Sequence, residues 1–211
     1  MVRLTFKDSV FAMSLAAIAG YVDAVGFLKA GGFFVSFMSG NSTRLAVGAV
    51  TGTPSASFAA GLIGCFIVGV MTGTLVSGRD GDRTRLVLLV VAALLAAAAL
   101  SDALGAAQLG IFIAAAAMGA ENATFARDGD VQIGLTYMTG TLVKFGQRLT
   151  RALQGRARSE WLPFLMLWCG LIGGGLLGAL AFKKLGFGAL WFAVVITGAL
   201  SLYSPKSTDA H

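Results

Sequence analysis

Six stretches of the chain, 9 to 28, 55 to 77, 86 to 101, 103 to 120, 161 to 182 and 185 to 203, run almost without charge. Each is close to the roughly 20 residues that a helix rising about 1.5 Å per residue needs to cross a hydrocarbon layer of about 30 Å. This spacing leaves little choice of fold, because a spanning segment must satisfy its backbone polar groups internally. The whole chain of 211 residues is 56% apolar and 12% charged. A soluble domain carries about a quarter charged residues. The expectation is therefore an all-α polytopic membrane protein.

Met1 to Asp8 holds Arg3 and Lys7, but the apolar run that follows lacks a small-residue cleavage site and leads into a stretch containing Gly and Asp. It reads as a retained first helix. The net charge of +6 comes from cations in the loops between apolar stretches, so topology rather than nucleic acid explains it. Cys65 and Cys169 lie inside apolar stretches, where the ordinary role is that of a small hydrophobe. No metal site or cofactor is expected.

A repeat organises the chain. Ser36-Phe37-Met38-Ser39-Gly40 recurs as Thr136-Tyr137-Met138-Thr139-Gly140, and four residues past each glycine stands a cation, Arg44 or Lys144. Upstream, Gly20-Tyr21-Val22-Asp23-Ala24 aligns with Gly119-Ala120-Glu121-Asn122-Ala123 once one residue is inserted in the second half. Downstream, Gly69 and Gly73 match Gly174 and Gly178. The units are residues 1–104 and 105–204, followed by a polar tail at 205–211.

Each half also contains a polar, glycine-bearing segment, about 33 to 50 and 132 to 152, which either crosses the membrane or re-enters on one side. Cytoplasmic loops are enriched in Lys and Arg. Setting aside Arg44 and Lys144, eight spans distribute the other cations 7 against 7, whereas six spans with two re-entrant segments distribute them 11 against 3 in favour of the cytoplasm. The expected architecture is therefore six full spans plus two broken or re-entrant polar helices. The halves are then inverted relative to each other and the N-terminus is cytoplasmic; eight spans with parallel repeats is the alternative. Inverted repeats with interrupted helices are a recurring transporter architecture.

The stretches differ in character. Gly69-x3-Gly73 and Gly170-x3-Gly174-x3-Gly178 form small-residue ridges that let backbones approach. These two helices are expected to make the interior seam. Residues 86 to 100 are almost wholly Leu, Val and Ala, as suits a lipid-facing helix. Trp161, Trp191 and Tyr203 stand near span ends as interfacial anchors.

Four ionisable residues fall at membrane depth, where each costs about 2.5 to 3.5 kcal/mol on insertion scales: Asp23, Arg44, Glu121 and Lys144. On one reading they line a polar path, the cations attracting an anionic or dipolar solute and the acids exchanging protons. On a second, Asp23 pairs with Arg44 and Glu121 with Lys144 to hold the polar segments. On a third, the cations snorkel to the interface. Ser39, Gly40 and Asn41, with Asn122, Thr139 and Gly140, are the candidates to replace a solute's hydration shell. The competing reading bonds their hydroxyls back to helix carbonyls. Tyr21, Met38, Tyr137 and Met138 are candidate pocket walls.

Gly20-Tyr21-Val22-Asp23-Ala24-Val25-Gly26-Phe27, followed by Phe34-Val35-Ser36-Phe37-Met38-Ser39-Gly40-Asn41, resembles the signature of the YoaK-like family of largely uncharacterised bacterial integral membrane proteins. Its pattern is G-x-x-D-A-x-x-[FY], then F-x-x-x-M-[TS]-G-N. Ser39 stands where Thr is usual. The resemblance covers essentially the whole chain. It implies a location in the bacterial plasma (inner) membrane and singles out Asp23, Gly40 and Asn41, without implying a substrate.

The function expected is a small-solute transporter or channel, for an anionic or dipolar solute with proton coupling, with the solute and the lipid bilayer as partners and room for a homo-oligomer. A non-transporting sensor or assembly protein is the alternative. An intramembrane enzyme is disfavoured, since His211 is the only histidine and leaves no Ser/His pair or His-based metal site within the spans.

Overall fold

The protein is described by a computed structural model covering residues 6–78, 83–127, 130–131, 138–156 and 159–203. The described residues form a helical bundle: α1 (Phe6–Lys29), α2 (Met38–Thr51), α3 (Ser55–Ser77), α4 (Thr84–Ala103), α5 (Ala107–Glu121), α6 (Met138–Leu153), α7 (Leu162–Leu185) and α8 (Leu190–Leu202). Short 3-10 turns at Asn122–Phe125 and Gly186–Ala189 prolong α5 and join α7 to α8, and Ala126–Arg127 pairs with Asp130–Val131 in a two-residue ladder. Four stretches, Ser9–Lys29, Ser55–Ser77, Thr84–Ala103 and Leu162–Leu202, are long and apolar enough to cross a membrane. The chain is thus a multi-pass helical membrane protein. With 14, 15, 16 and 13 residues, α2, α5, α6 and α8 each reach only about 20 to 24 Å.

The glycines dictate how the helices pair. A Cβ on Gly174 or Gly178 of α7 would fall on the carbonyl oxygens of Ala17 or Tyr21 in α1, and one on Gly20 would fall on that of Leu171. In the other half, a Cβ on Gly69 or Gly73 of α3 would strike the carbonyls of Ala116 or Ala120 in α5, and one on Gly119 that of Phe66. Residue numbers rise together along each pair, so α1 runs parallel to α7 and α3 parallel to α5. The six approaches match in twos under the residue correspondence read from the sequence.

Both ridges therefore make seams, but not interior ones. Each ridge occupies one face of its helix, while Val68, Met71 and Leu75 of α3 and Leu176, Leu177 and Leu180 of α7 face outward. The interior belongs to α1, α4 and α5. Leu15, Val22 and Val25 of α1, Leu88 and Leu95 of α4, and Met118 of α5 are fully buried in one core with Leu62, Phe187 and Leu190. For residues 86 to 100 this corrects the lipid-facing expectation. α4 buries Val87, Leu88, Val91, Ala92, Leu95, Ala98 and Ala99, packing on α5 and α8. Its small and branched side chains suit helix packing as well as lipid.

The two ends of the bundle are defined by polar contacts. At one end Lys29, which closes α1, pairs with Asp102 of α4 at 2.6 Å and lies 5.7 Å from the centre of the Phe187 ring between α7 and α8. Gly110, early in α5, stands against the Ala98 carbonyl and the same Phe187 ring. At the other end the Thr84 hydroxyl, where α4 begins, donates to the carbonyl of Thr124 at 3.4 Å.

Candidate functional site

Past Lys29 the chain turns through Gly31 and Gly32, whose φ of 64° and 98° favour glycine. It then runs back along α1 as a non-helical segment, Phe33 to Phe37, before α2 starts. Asp23 receives it. Its Oδ1 accepts hydrogen bonds from the amides of Val35 and Ser36, both at 2.8 Å. Asp23 stands six residues before the end of α1, so the segment reaches about 9 Å inward from that end.

Asn41, fully buried on α2, grips the same segment from the other side. Its Nδ2 donates to the Phe34 carbonyl at 2.6 Å and its Oδ1 accepts from the Phe34 amide at 3.1 Å. A Cβ on Gly40 would meet the rings of Phe34 and Phe37 at 2.9 Å. All three family-signature residues therefore converge on Phe34 to Phe37. Backbone groups that a helix would pair internally are paired here by side chains, which lets irregular chain exist at this depth.

Aromatic rings cover the segment: Phe34 lies 4.9 Å from Phe27 and 5.2 Å from Phe37, and Phe33 lies 4.9 Å from Phe58. Arg44 is exposed, its guanidinium 4.7 Å over the Phe33 ring. Ser39 is exposed, and the Ser42 and Thr43 hydroxyls donate back to the carbonyls of Met38 and Ser39. Between α1 and α7 an open, almost wholly apolar cleft of about 450 Å³ lies beside Asp23, walled by Phe27, Phe34, Leu171 and Gly175 among others. That volume lies within the usual range for small-molecule sites. Tyr21 does not line it; its hydroxyl donates to the Ala189 carbonyl at 2.9 Å and ties α1 to the start of α8. Met38 is half-buried at the start of α2, with its sulfur 3.5 Å from Asn41 Nδ2.

In the second half, Glu121 is fully buried and neither carboxylate oxygen has a hydrogen-bond partner among the described residues. Asn122 is also buried and donates to the Met118 carbonyl at 2.9 Å. Met138 packs with Ala12, Ala16 and Leu167 rather than on the cavity, while Thr139, Gly140 and Lys144 are exposed. Tyr137 lies outside the described residues, as does the rest of 132–137. The salt bridges among the described residues are Lys29 with Asp102 and Arg148 with Glu160. Asp23 with Arg44 and Glu121 with Lys144 are not brought together.

Sequence reasoning missed Phe27, Phe34, Leu171 and Gly175 as cavity walls, and Asp102 as the partner of Lys29. The run Gly173-Gly174-Gly175 was the available signal for the wall, because a helix face without side chains leaves room beside its neighbour.

The model of a family described as "Protein of unknown function (DUF1275)" matches residues 11–203. A UPF0700 transmembrane protein of Rhizobium meliloti (strain 1021) is 36% identical over 191 residues, which cover 88% of this chain and 83% of that protein. No solved structure matches at a significant level.

Proposed function

The chain belongs to the DUF1275 family, the family its YoaK-like motifs resemble, and from its pinned intramembrane segment we propose that it is a small-solute transporter or channel. The path is built from the polar segments of both halves and takes an anionic or dipolar solute. The observation that carries this reading is the non-helical stretch Phe33 to Phe37, held at the depth of Asp23. Irregular backbone within a bilayer is tolerated where it is buried in protein or lines a water-filled cavity. Beside Asp23 an apolar cleft opens between α1 and α7, so protein does not cover this side of the segment's anchor.

Contacts at the bundle ends support six spans with inverted halves. Between the ends of α1 and α4 the chain passes along α2, α3 and α4, and every full crossing changes its side. Lys29 and Asp102 meet, so the number of crossings between them is even. With α3 and α4 crossing, α2 re-enters. The paired glycine approaches, α7 on α1 and α3 on α5, support the two-fold relation between the halves. By the charge rule, the end holding Lys29 and Asp102 faces outward and the N-terminus is cytoplasmic.

The test is flux. Purified protein in liposomes, offered a panel of labelled organic anions and zwitterions, should pass at least one faster than empty liposomes do. Arg44→Ala and Lys144→Ala should each reduce that flux. No protein-dependent flux across the panel overturns the reading, and unaltered flux in both variants removes the two cations from the path.

A further inference from the structure

Glu121 has no acidic counterpart in the first half. The correspondence that matches Gly119 with Gly20 places Glu121 opposite Val22 and Asn122 opposite Asp23. Val22 is fully buried hydrocarbon. A carboxyl thus occupies, in one half only, a position the other half fills with an apolar side chain. Among the described residues neither Glu121 oxygen has a donor, and the hydroxyl of Thr124, three residues on and so on the same helical face, is also buried and without a partner there.

A carboxylate in that setting has lost its water and gained nothing in exchange, which an ionised group does not tolerate; it neutralises instead. Two means of neutralisation exist, a cationic partner or a proton. The helices packed against α5 are α1, α3 and α4. No charged residue occurs in α3, whose titratable residue is Cys65. On α4, Arg85 is exposed in the first turn and Asp102 is bound to Lys29. On α1, Asp23 holds the re-entrant segment and the Tyr21 hydroxyl is bound to Ala189. The side chains of Lys7, Asp8, Arg127 and Asp130 lie outside the described residues. No ion pair to Glu121 occurs among the described residues.

Resting on the transport reading, we propose that Glu121 is the proton-binding site of this protein. It exchanges its proton with water at the end of the bundle where α4 begins. The step is a reversible dissociation: the O–H bond of the carboxylic acid breaks, the electron pair stays on the carboxylate, and the proton passes to water. Thr124 marks the route, since its carbonyl accepts from Thr84 at that end, one helical turn from Glu121. The first half, with Val22, carries no such group, so the coupling is asymmetric although the architecture is two-fold.

Infrared spectroscopy of the protein in liposomes reads the group directly. The expected result is a C=O stretch of a protonated carboxylic acid that shifts on exchange into D2O, declines as pH rises and is lost in Glu121→Gln. Glu121→Asp keeps the acid and should move the band rather than remove it, which covers the case that the glutamine variant does not fold. Absence of the band, its persistence unchanged in Glu121→Gln, or its removal by added Na+ at constant pH would overturn the assignment, the last result in favour of a sodium site. A band that behaves as expected in protein that passes no solute would sink the transport reading while leaving the proton site in place.

Discussion

Lys29 Nζ lies 2.6 Å from Asp102 Oδ1, which joins the last residue of α1 to the last turn of α4. A salt bridge at this distance is incompatible with the two ends lying on opposite faces of a layer about 30 Å thick. The contact therefore constrains the path of everything between them, α2 included.

Single cysteines at positions 29 and 102, in a chain with Cys65 and Cys169 replaced, should both react with an impermeant thiol reagent from outside the cell. A cysteine placed between positions 79 and 85 should react only from the cytoplasm. Labelling of positions 29 and 102 from opposite faces would restore the eight-span arrangement.

Gly174→Ala and Gly69→Ala should each lower stability by roughly 1–3 kcal/mol, the usual cost of forcing a methyl into packed surroundings. Each new Cβ would fall on a carbonyl of the neighbouring helix, Ala17 or Ala116. Gly173→Ala and Gly64→Ala meet nothing within 4 Å and should melt like the parent. Thermal unfolding in detergent compares the four, and equal melting temperatures would refute the seam.

Asp23→Ala strips the acceptor from two amides, Val35 and Ser36, at roughly 1–3 kcal/mol for each donor left unsatisfied. Asp23→Asn retains an oxygen at Oδ1 and should cost less. Asn41→Ala releases both polar groups of Phe34. Because both side chains hold one segment, the double variant should lose less than the sum of the single losses. Amide hydrogen exchange at Val35 and Ser36 reports the release, and unchanged protection in Asp23→Ala would contradict it.

Gly175→Leu should fill the cavity beside Asp23, whose wall includes Gly175. A methyl there makes only ordinary contact, 3.6 Å from the Gly20 carbonyl, so the fold should persist. Solute flux in liposomes should fall while the melting temperature holds. Full flux in the leucine variant would take this cavity off the path.

Much of the helix layout was legible because apolar length is a local property. The uncharged stretch at 55 to 77 is α3 to the residue, and 86 to 101 lies within α4. The glycine ridges showed which helices approach closely, though not that their other faces look outward. The burial of α4 was illegible: Leu, Val and Ala serve equally against lipid and against protein. The partner of Asp23 was illegible for a different reason. Charge balance suggested Arg44, yet two backbone amides brought close by the Gly31–Gly32 turn take its Oδ1, and Arg44 lies over Phe33.

The sequence by itself determined that this chain is helical and lies in a membrane, because hydrocarbon accepts only segments that pair their own backbone and are long enough to span it. It also displayed the duplicated motifs and the polar residues that a bilayer would otherwise reject. Tertiary structure alone decided which apolar faces are interior, which groups meet Asp23, that Glu121 meets none among the described residues, and that Lys29 reaches Asp102. Those outcomes depend on contacts between helices distant in sequence, and hydropathy is blind to them because lipid and protein interior are apolar alike.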